Sequence, residues 1–169
     1  MITIQLEPGD IFCTRNPMWL GRAINAVQRF HSVDNQSEYS HAGIVIDPDG
    51  GSFESLWTIR RSHIDIYEGK KVLVGRHEDM TRAMATNGLE ALYQEHLGQI
   101  YPAHRLIFHL IPPLAKYISS GHFPVCSELA AKFLCKCGLL GYWKGVNPDH
   151  IADMIHNFRY FEVVYEGIW

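Results

Sequence analysis

The chain of 169 residues has no apolar run long enough to cross a bilayer. Its most apolar stretch, Leu106 to Leu114, is broken by His109 and by Pro112 and Pro113, well short of the ~20 residues a spanning helix needs. An excess of positive charge is also missing: 15 Lys and Arg stand against 18 Asp and Glu, for a net charge of -3. Basic residues pair only at Arg60, Arg61 and at Lys70, Lys71, so the chain lacks the basic stripe of a nucleic-acid binder and that class is set aside.

Cysteine is scarce. Cys13, Cys126, Cys135 and Cys137 show neither a CxxC pair nor the spacing of a disulfide framework, and free thiols in a reducing compartment are expected. There is no HExxH motif, and His104 and His109 are five apart, off a common helical face, so neither a metal nor another cofactor is predicted. Residues Met1 to Asp10 lack the basic start and apolar core of a secretory signal, which predicts a cytoplasmic protein. No linker, repeat or low-complexity segment divides the chain. A single α+β domain over residues 1–169 is the expectation.

What is present fits that class, with 47% hydrophobic and 20% charged residues. Glu7-Pro8-Gly9-Asp10 is turn chemistry, and Ile11 to Thr14 reads as a strand. Asn16-Pro17 supplies a cap and a first-turn proline for a helix with Leu20, Ala23, Ile24, Val27 and Phe30 on one face. Ala42 to Ile46 and Ser52 to Trp57 flank the turn Asp47-Pro48-Asp49-Gly50-Gly51 as a β-hairpin. A further strand is expected at Lys71 to Gly75, and a helix from about Thr81 to Leu97, capped by Asp79 and stopped by Gly98.

Cys126, Leu129, Ala130, Phe133, Leu134 and Cys137 recur at helical spacing after Pro124. Asn147-Pro148 starts another helix, with Ile151, Met154, Ile155 and Phe158 on one face, and Phe161, Val163 and Tyr165 alternate as a final strand.

Cys126 stands in the first turn of its helix, where the helix dipole and unpaired N–H groups favour a thiolate and could stabilise an oxyanion. The other reading is a small buried hydrophobe, since it shares a face with Leu129 and Phe133. Cys13, Cys135 and Cys137 have no such position and read as structural. A nucleophilic sulfur needs a base, and His41 opens the first hairpin strand. Glu54 on the return strand is the nearest acid able to orient an imidazole. Register decides whether it can. A four-residue loop sets Gly43 opposite Glu54, with His41 its diagonal neighbour at ~7 Å on the same face; a five-residue loop sends Glu54 to the other face.

Four segments in this order, Pro8-Gly9-Asp10-Ile11, Tyr39-Ser40-His41-Ala42-Gly43-Ile44-Val45, Phe53-Glu54-Ser55-Leu56 and Val125-Cys126-Ser127-Glu128-Leu129, resemble the circularly permuted papain-like cysteine hydrolases of the NlpC superfamily, the YiiX-like group. The likeness runs from about Glu7 to Ile155 and includes Asn147-Pro148-Asp149-His150-Ile151. It implies a permuted papain-like fold, an antiparallel sheet packed against helices, with histidine preceding cysteine in the chain. It also implies Cys126 as nucleophile, His41 as general base and later acid, and Glu54 as the orienting group.

Tyr39, two residues before His41, is expected as a substrate contact, and the backbone N–H of Cys126 as an oxyanion donor. Where the resemblance implies an acidic residue after Gly98-Gln99-Ile100-Tyr101, Pro102 and Ala103 stand instead. The activity implied is hydrolysis of an amide bond through a thioester, with peptidoglycan stem peptides as the substrate class. The alternatives are a lipid or thioester acyl hydrolase or acyltransferase with the same triad, against which stand the missing asparagine before the cysteine and the missing hydrophobic tail, and a binding module without activity. The partner is accordingly a peptide, muropeptide or acyl substrate.

Overall fold

In a computed structural model of the chain, the residues described are 4–15, 38–56, 58–100 and 125–169. The helix expected after Asn16-Pro17, the apolar segment Ile107 to Leu114, residues Tyr101 to Ala103 and the two histidines 104 and 109 lie outside them. The turn at the head of the chain is built around a buried carboxylate. Asp10 Oδ2 accepts from the Glu7 N–H at 2.9 Å, and Arg76 grips both Asp10 oxygens at 2.8 and 2.9 Å. Gly9 has a φ of 100°, and a side chain there would press on Ala85 and Met80. This segment therefore ties the head of the first strand to Arg76.

Six strands follow in antiparallel pairs: β1 (Ile11–Thr14), β2 (His41–Val45), β3 (Gly51–Ser55), β4 (Ile59–His63), β5 (Lys71–His77) and β6 (Phe161–Ile168). Their order across the sheet is β4-β3-β2-β1-β5-β6. The described helices are α1 (Arg82–His96), α2 (Cys126–Lys136) and α3 (Pro148–Asn157). Among the described residues no helix is long and apolar enough to cross a membrane.

Alternation along the strands divides the buried side chains between two clusters. Ile11, Cys13, Ala42, Ile44, Phe53 and Leu73 join Leu129, Phe133, Ile151 and Ile155 from the helices. Phe12, Val45, Val72 and Val74 join Ile64 and Tyr67, which belong to a 3₁₀ turn (Ile64–Tyr67) between β4 and β5. His41, Ser52 and Glu54 have the strand parity of this second cluster.

The hairpin takes the register of the four-residue loop. Gly43 pairs with Glu54, Val45 with Ser52, and the Ile46 N–H donates to the Gly51 carbonyl at 2.8 Å. Asp47 sets this length, because its Oδ1 accepts from the Asp49 and Gly51 N–H groups at 3.0 and 2.9 Å while Gly50 takes a φ of 97°.

Four expectations are corrected. The N-cap of α1 is Thr81, whose Oγ1 accepts from the Met84 N–H at 3.2 Å; Asp79 sits inside a turn closed by the Met80 N–H on the His77 carbonyl. Phe158 ends α3 at 50% exposure instead of joining its apolar face. Alternation in β6 breaks because the pairing shifts between Val74 and Gly75, so that Val163 is exposed. β4 has no counterpart in the sequence reading: its polar sequence Ile59-Arg60-Arg61-Ser62-His63 is held as a strand by full pairing with β3.

Candidate active site

Cys126 opens α2 after an extended Val125, with φ -75° and ψ 171°. No side chain of Val125 can cap the helix, so Glu128, three residues on, turns back: its carboxylate accepts from the Val125 N–H at 3.2 Å and from the Gly145 N–H at 3.0 Å. Ser127 Oγ donates to the Val146 carbonyl at 2.7 Å. These bonds fix the helix mouth against the 145–147 segment and hold the sulfur in place. Cys126 is 6% exposed.

His41, the first residue of β2, is fully buried between aromatic rings, with centroid separations of 6.3 Å to Phe12 and 5.7 Å to Tyr67. Gly43 makes room for this box, since a Cβ there would lie 2.5 Å from the Phe12 ring. His41 Nε2 and Glu54 Oε2 are 2.7 Å apart. Glu54 also accepts from Tyr67 Oη on the same oxygen at 2.5 Å and from Ser52 Oγ on Oε1 at 2.5 Å. A carboxylate ringed by donors is an acceptor, so the imidazole proton on this side sits on Nε2. Nδ1 is left buried with no hydrogen-bond partner among the described residues, and the imidazole as a whole interacts with the Cys126 thiol.

The electrostatics follow from these contacts. Burial alone would push the Cys126 thiol up; the His41 charge, a side-chain interaction with the imidazole and the N–H groups of Ala42 and Ser127 outweigh it and hold the thiol below its ordinary value. Burial would lower His41, but Cys126 and then Glu54 raise it to about 10. Burial would raise Glu54, yet His41, Ser52 and Tyr67 keep it below the usual carboxylate range. All three shifts run in the direction of a thiolate beside an imidazolium, backed by a carboxylate.

The structure brings Cys126, His41 and Glu54 together. Tyr39 it places elsewhere: the residue is 2% exposed, its ring lies in the core under the Lys71 ammonium, and its hydroxyl donates to Glu166 at 3.3 Å. Its described contacts are therefore structural ones that tether the approach to β2. Burial raises the thiol of Cys13, and likewise those of Cys135 and Cys137, in keeping with structural roles.

Two participants escaped the sequence reading. Ser52 was within reach of it, being two residues before Glu54 on one strand and so on the same face. Tyr67 carries no such signal; it reaches Glu54 only because β4 and the 3₁₀ turn fold back over the sheet.

No family model matches the sequence, and no curated protein matches it significantly. Among solved structures, the chain is similar to the crystal structure of metalloprotein YiiX from Escherichia coli O157:H7, DUF1105, with a TM-score of 0.58 and 20% identity, covering 96% of this chain and 89% of that one. At that identity the likeness is one of fold, extending across nearly the whole of both chains.

Proposed function

We propose that this protein is a thiol hydrolase that cleaves an amide bond with Cys126 as nucleophile, His41 as general base and acid, and Glu54 as the group that orients and charges His41. The observation that carries this reading is the buried imidazole that interacts with a sulfur at a helix mouth, its Nε2 bound to a carboxylate and its Nδ1 without a hydrogen-bond partner among the described residues. The order of the motifs, histidine before cysteine, supports a permuted papain-like arrangement. The same resemblance directs the choice of substrate to peptidoglycan stem peptides.

In the cycle, the Cys126 sulfur, its proton already held by His41, attacks the carbonyl carbon as a thiolate. The oxyanion of the tetrahedral intermediate lies at the helix mouth, where the Cys126 N–H donates to it. Collapse breaks the C–N bond, and His41 returns its proton to the leaving amine. Water then attacks the thioester, giving a proton to Nδ1; collapse expels the sulfur as a thiolate, and release of the carboxylic acid restores the thiolate–imidazolium pair.

The fold neighbour is named a metalloprotein. In this chain no group of three or more His, Cys, Asp or Glu side chains suited to a metal ion occurs among the described residues. Within the triad Glu54 and Nε2 are already engaged, leaving Sγ and Nδ1, one donor fewer than the three protein ligands of a catalytic zinc site. The triad residues do not fit a metal site.

The test is incubation with muropeptides, peptides and acyl esters, alongside iodoacetamide labelling at mildly acidic pH. Amide turnover lost in Cys126→Ala is the expected result. Turnover that survives this substitution, or a Cys126 that labels no faster than Cys135, overturns the reading. Turnover of esters with amides untouched would move the substrate class to acyl lipids or thioesters.

A further inference from the structure

The acid of the triad is buried among donors, and their arrangement bears on which proton state it holds. Glu54 Oε2 is shared between His41 Nε2 at 2.7 Å and Tyr67 Oη at 2.5 Å, while Ser52 occupies Oε1. The Tyr67 ring is itself fully buried and stands against both Phe12 and His41, at 5.7 Å in each case. One side chain thus stands beside the imidazole with its ring and reaches the carboxylate with its hydroxyl.

The placement is firm. Tyr67 ends the 3₁₀ turn, its carbonyl accepts from the Lys70 N–H at 2.9 Å, and the Gly69 N–H beyond it donates to the Trp169 carbonyl at 3.0 Å. The other polar groups around Glu54 can be named element by element. His41 comes from β2, Ser52 from β3 itself, and Arg60 is its paired residue on β4. Cys126 of α2 acts through His41. Arg60 is exposed and interacts electrostatically with the Tyr67 hydroxyl, but makes no described hydrogen bond to Glu54.

We infer, building on the hydrolase reading above, that Tyr67 is a positioning residue of the triad: its hydroxyl keeps Glu54 ionised and aimed at Nε2, which leaves Nδ1 for the sulfur. A buried carboxylate left with only the imidazole and Ser52 would take up a proton more readily, and a neutral Glu54 would leave a buried imidazolium unsupported. The thiolate would then lose its counter-charge. A hydroxyl donor removes that route without contributing a charge of its own. It also makes Oε2 a weaker base, so that the Nε2 proton stays on the imidazole throughout the cycle.

A structural role alone predicts that losing the hydroxyl costs stability and leaves the chemistry of the sulfur unchanged. The pH profile separates the two. The second-order rate of Cys126 alkylation by iodoacetamide is read by mass spectrometry from about pH 4 to about pH 9 in the full chain. Tyr67→Phe keeps the ring and its contacts, and is expected to move the acidic limb of that profile up by about one unit. Replacement of Tyr67 by 3-fluorotyrosine, a more acidic donor that keeps the hydroxyl, is expected to move it down, and serves if the phenylalanine variant does not fold.

A profile unmoved in whichever variant folds overturns the positioning role. His41→Ala is the arm that reports on the underlying reading: it should abolish the fast acidic reactivity. If His41→Ala reacts like the unmodified protein, the triad itself is wrong. If only the Tyr67 variants do, the triad stands and the inference about Tyr67 is lost.

Discussion

Gly43 is the position at which a single methyl group tests the construction of the site. A Cβ there would lie 2.5 Å from Cε1 and Cζ of Phe12 and 3.4 Å from the Glu54 Cβ. Carbon atoms rest at about 3.5 to 4.0 Å, so the Phe12 ring must retreat by about 1 Å. It has nowhere free to go, being fully buried with Tyr67 and His41 on its other sides. Overpacking of this kind costs about 1 to 3 kcal/mol. In a chain of this size each kcal/mol lowers the melting temperature by about 2 to 4 °C, so Gly43→Ala is expected to melt about 2 to 12 °C early. Because the displaced ring borders His41, Cys126 alkylation at about pH 6 should slow as well. Gly141→Ala is the control, since a Cβ there meets open space. Melting and alkylation both unchanged in Gly43→Ala would refute the view that Phe12 is a rigid wall of the imidazole site.

Three further substitutions probe the electrostatics. In Glu54→Gln the amide oxygen can still accept from His41 and Tyr67 while the NH₂ group turns to Ser52, so shape is kept and charge is lost; alkylation of Cys126 at about pH 6 should fall about 10- to 100-fold, the worth of a charged hydrogen bond. An undiminished rate would show that the carboxylate charge does not support the imidazolium. Glu128→Ala strips the acceptor from the Val125 and Gly145 N–H groups and should cost about 2 to 4 kcal/mol in denaturant unfolding; full stability would mean those groups find other partners. Burial opposes the ionisation of Glu95, but Lys132 and Lys136 hold it down at about 2, against an ordinary 4.5. Its stabilising effect is therefore present above pH 4.5 and lost as pH falls through about 2. Glu95→Gln should be less stable than the parent at neutral pH, with the gap closing across that acidic interval, and a gap that persists at low pH would contradict this assignment.

The hairpin and the cysteine helix were legible because their signals are local. Asn147 does cap α3, its Oδ1 accepting from the His150 N–H at 2.7 Å, just as the Asn-Pro pair suggests. Gly9 and Gly50 take the positive φ values that their turns require. What the sequence hides is whatever depends on a partner strand. β4 is polar and is a strand only through its pairing with β3, and the bulge at Val74/Gly75 inverts the apparent alternation of β6. Tyr39 illustrates the same limit within the site: proximity in sequence to His41 suggested a substrate contact, but the side chain turns to Lys71 and Glu166.

The geometry of the proposed triad is decided by a residue outside it. His41 and Glu54 can meet only if β2 and β3 pair in one of two registers, because a slip of one residue sends every side chain of β3 to the opposite face. Both registers are compatible with the apolar pattern, since β2 and β3 are buried along their whole length. The choice falls to Asp47, whose carboxylate closes the loop at four residues by accepting from the N–H of Asp49 within it and of Gly51 at the start of β3. With that register set, Ser52 and Glu54 share the His41 side of the sheet and the 3₁₀ turn can bring Tyr67 down upon them. The carboxylate that charges the imidazole is thus aimed by a loop at the far end of the hairpin, which is why motif spacing alone left the site undecided and turn chemistry resolved it.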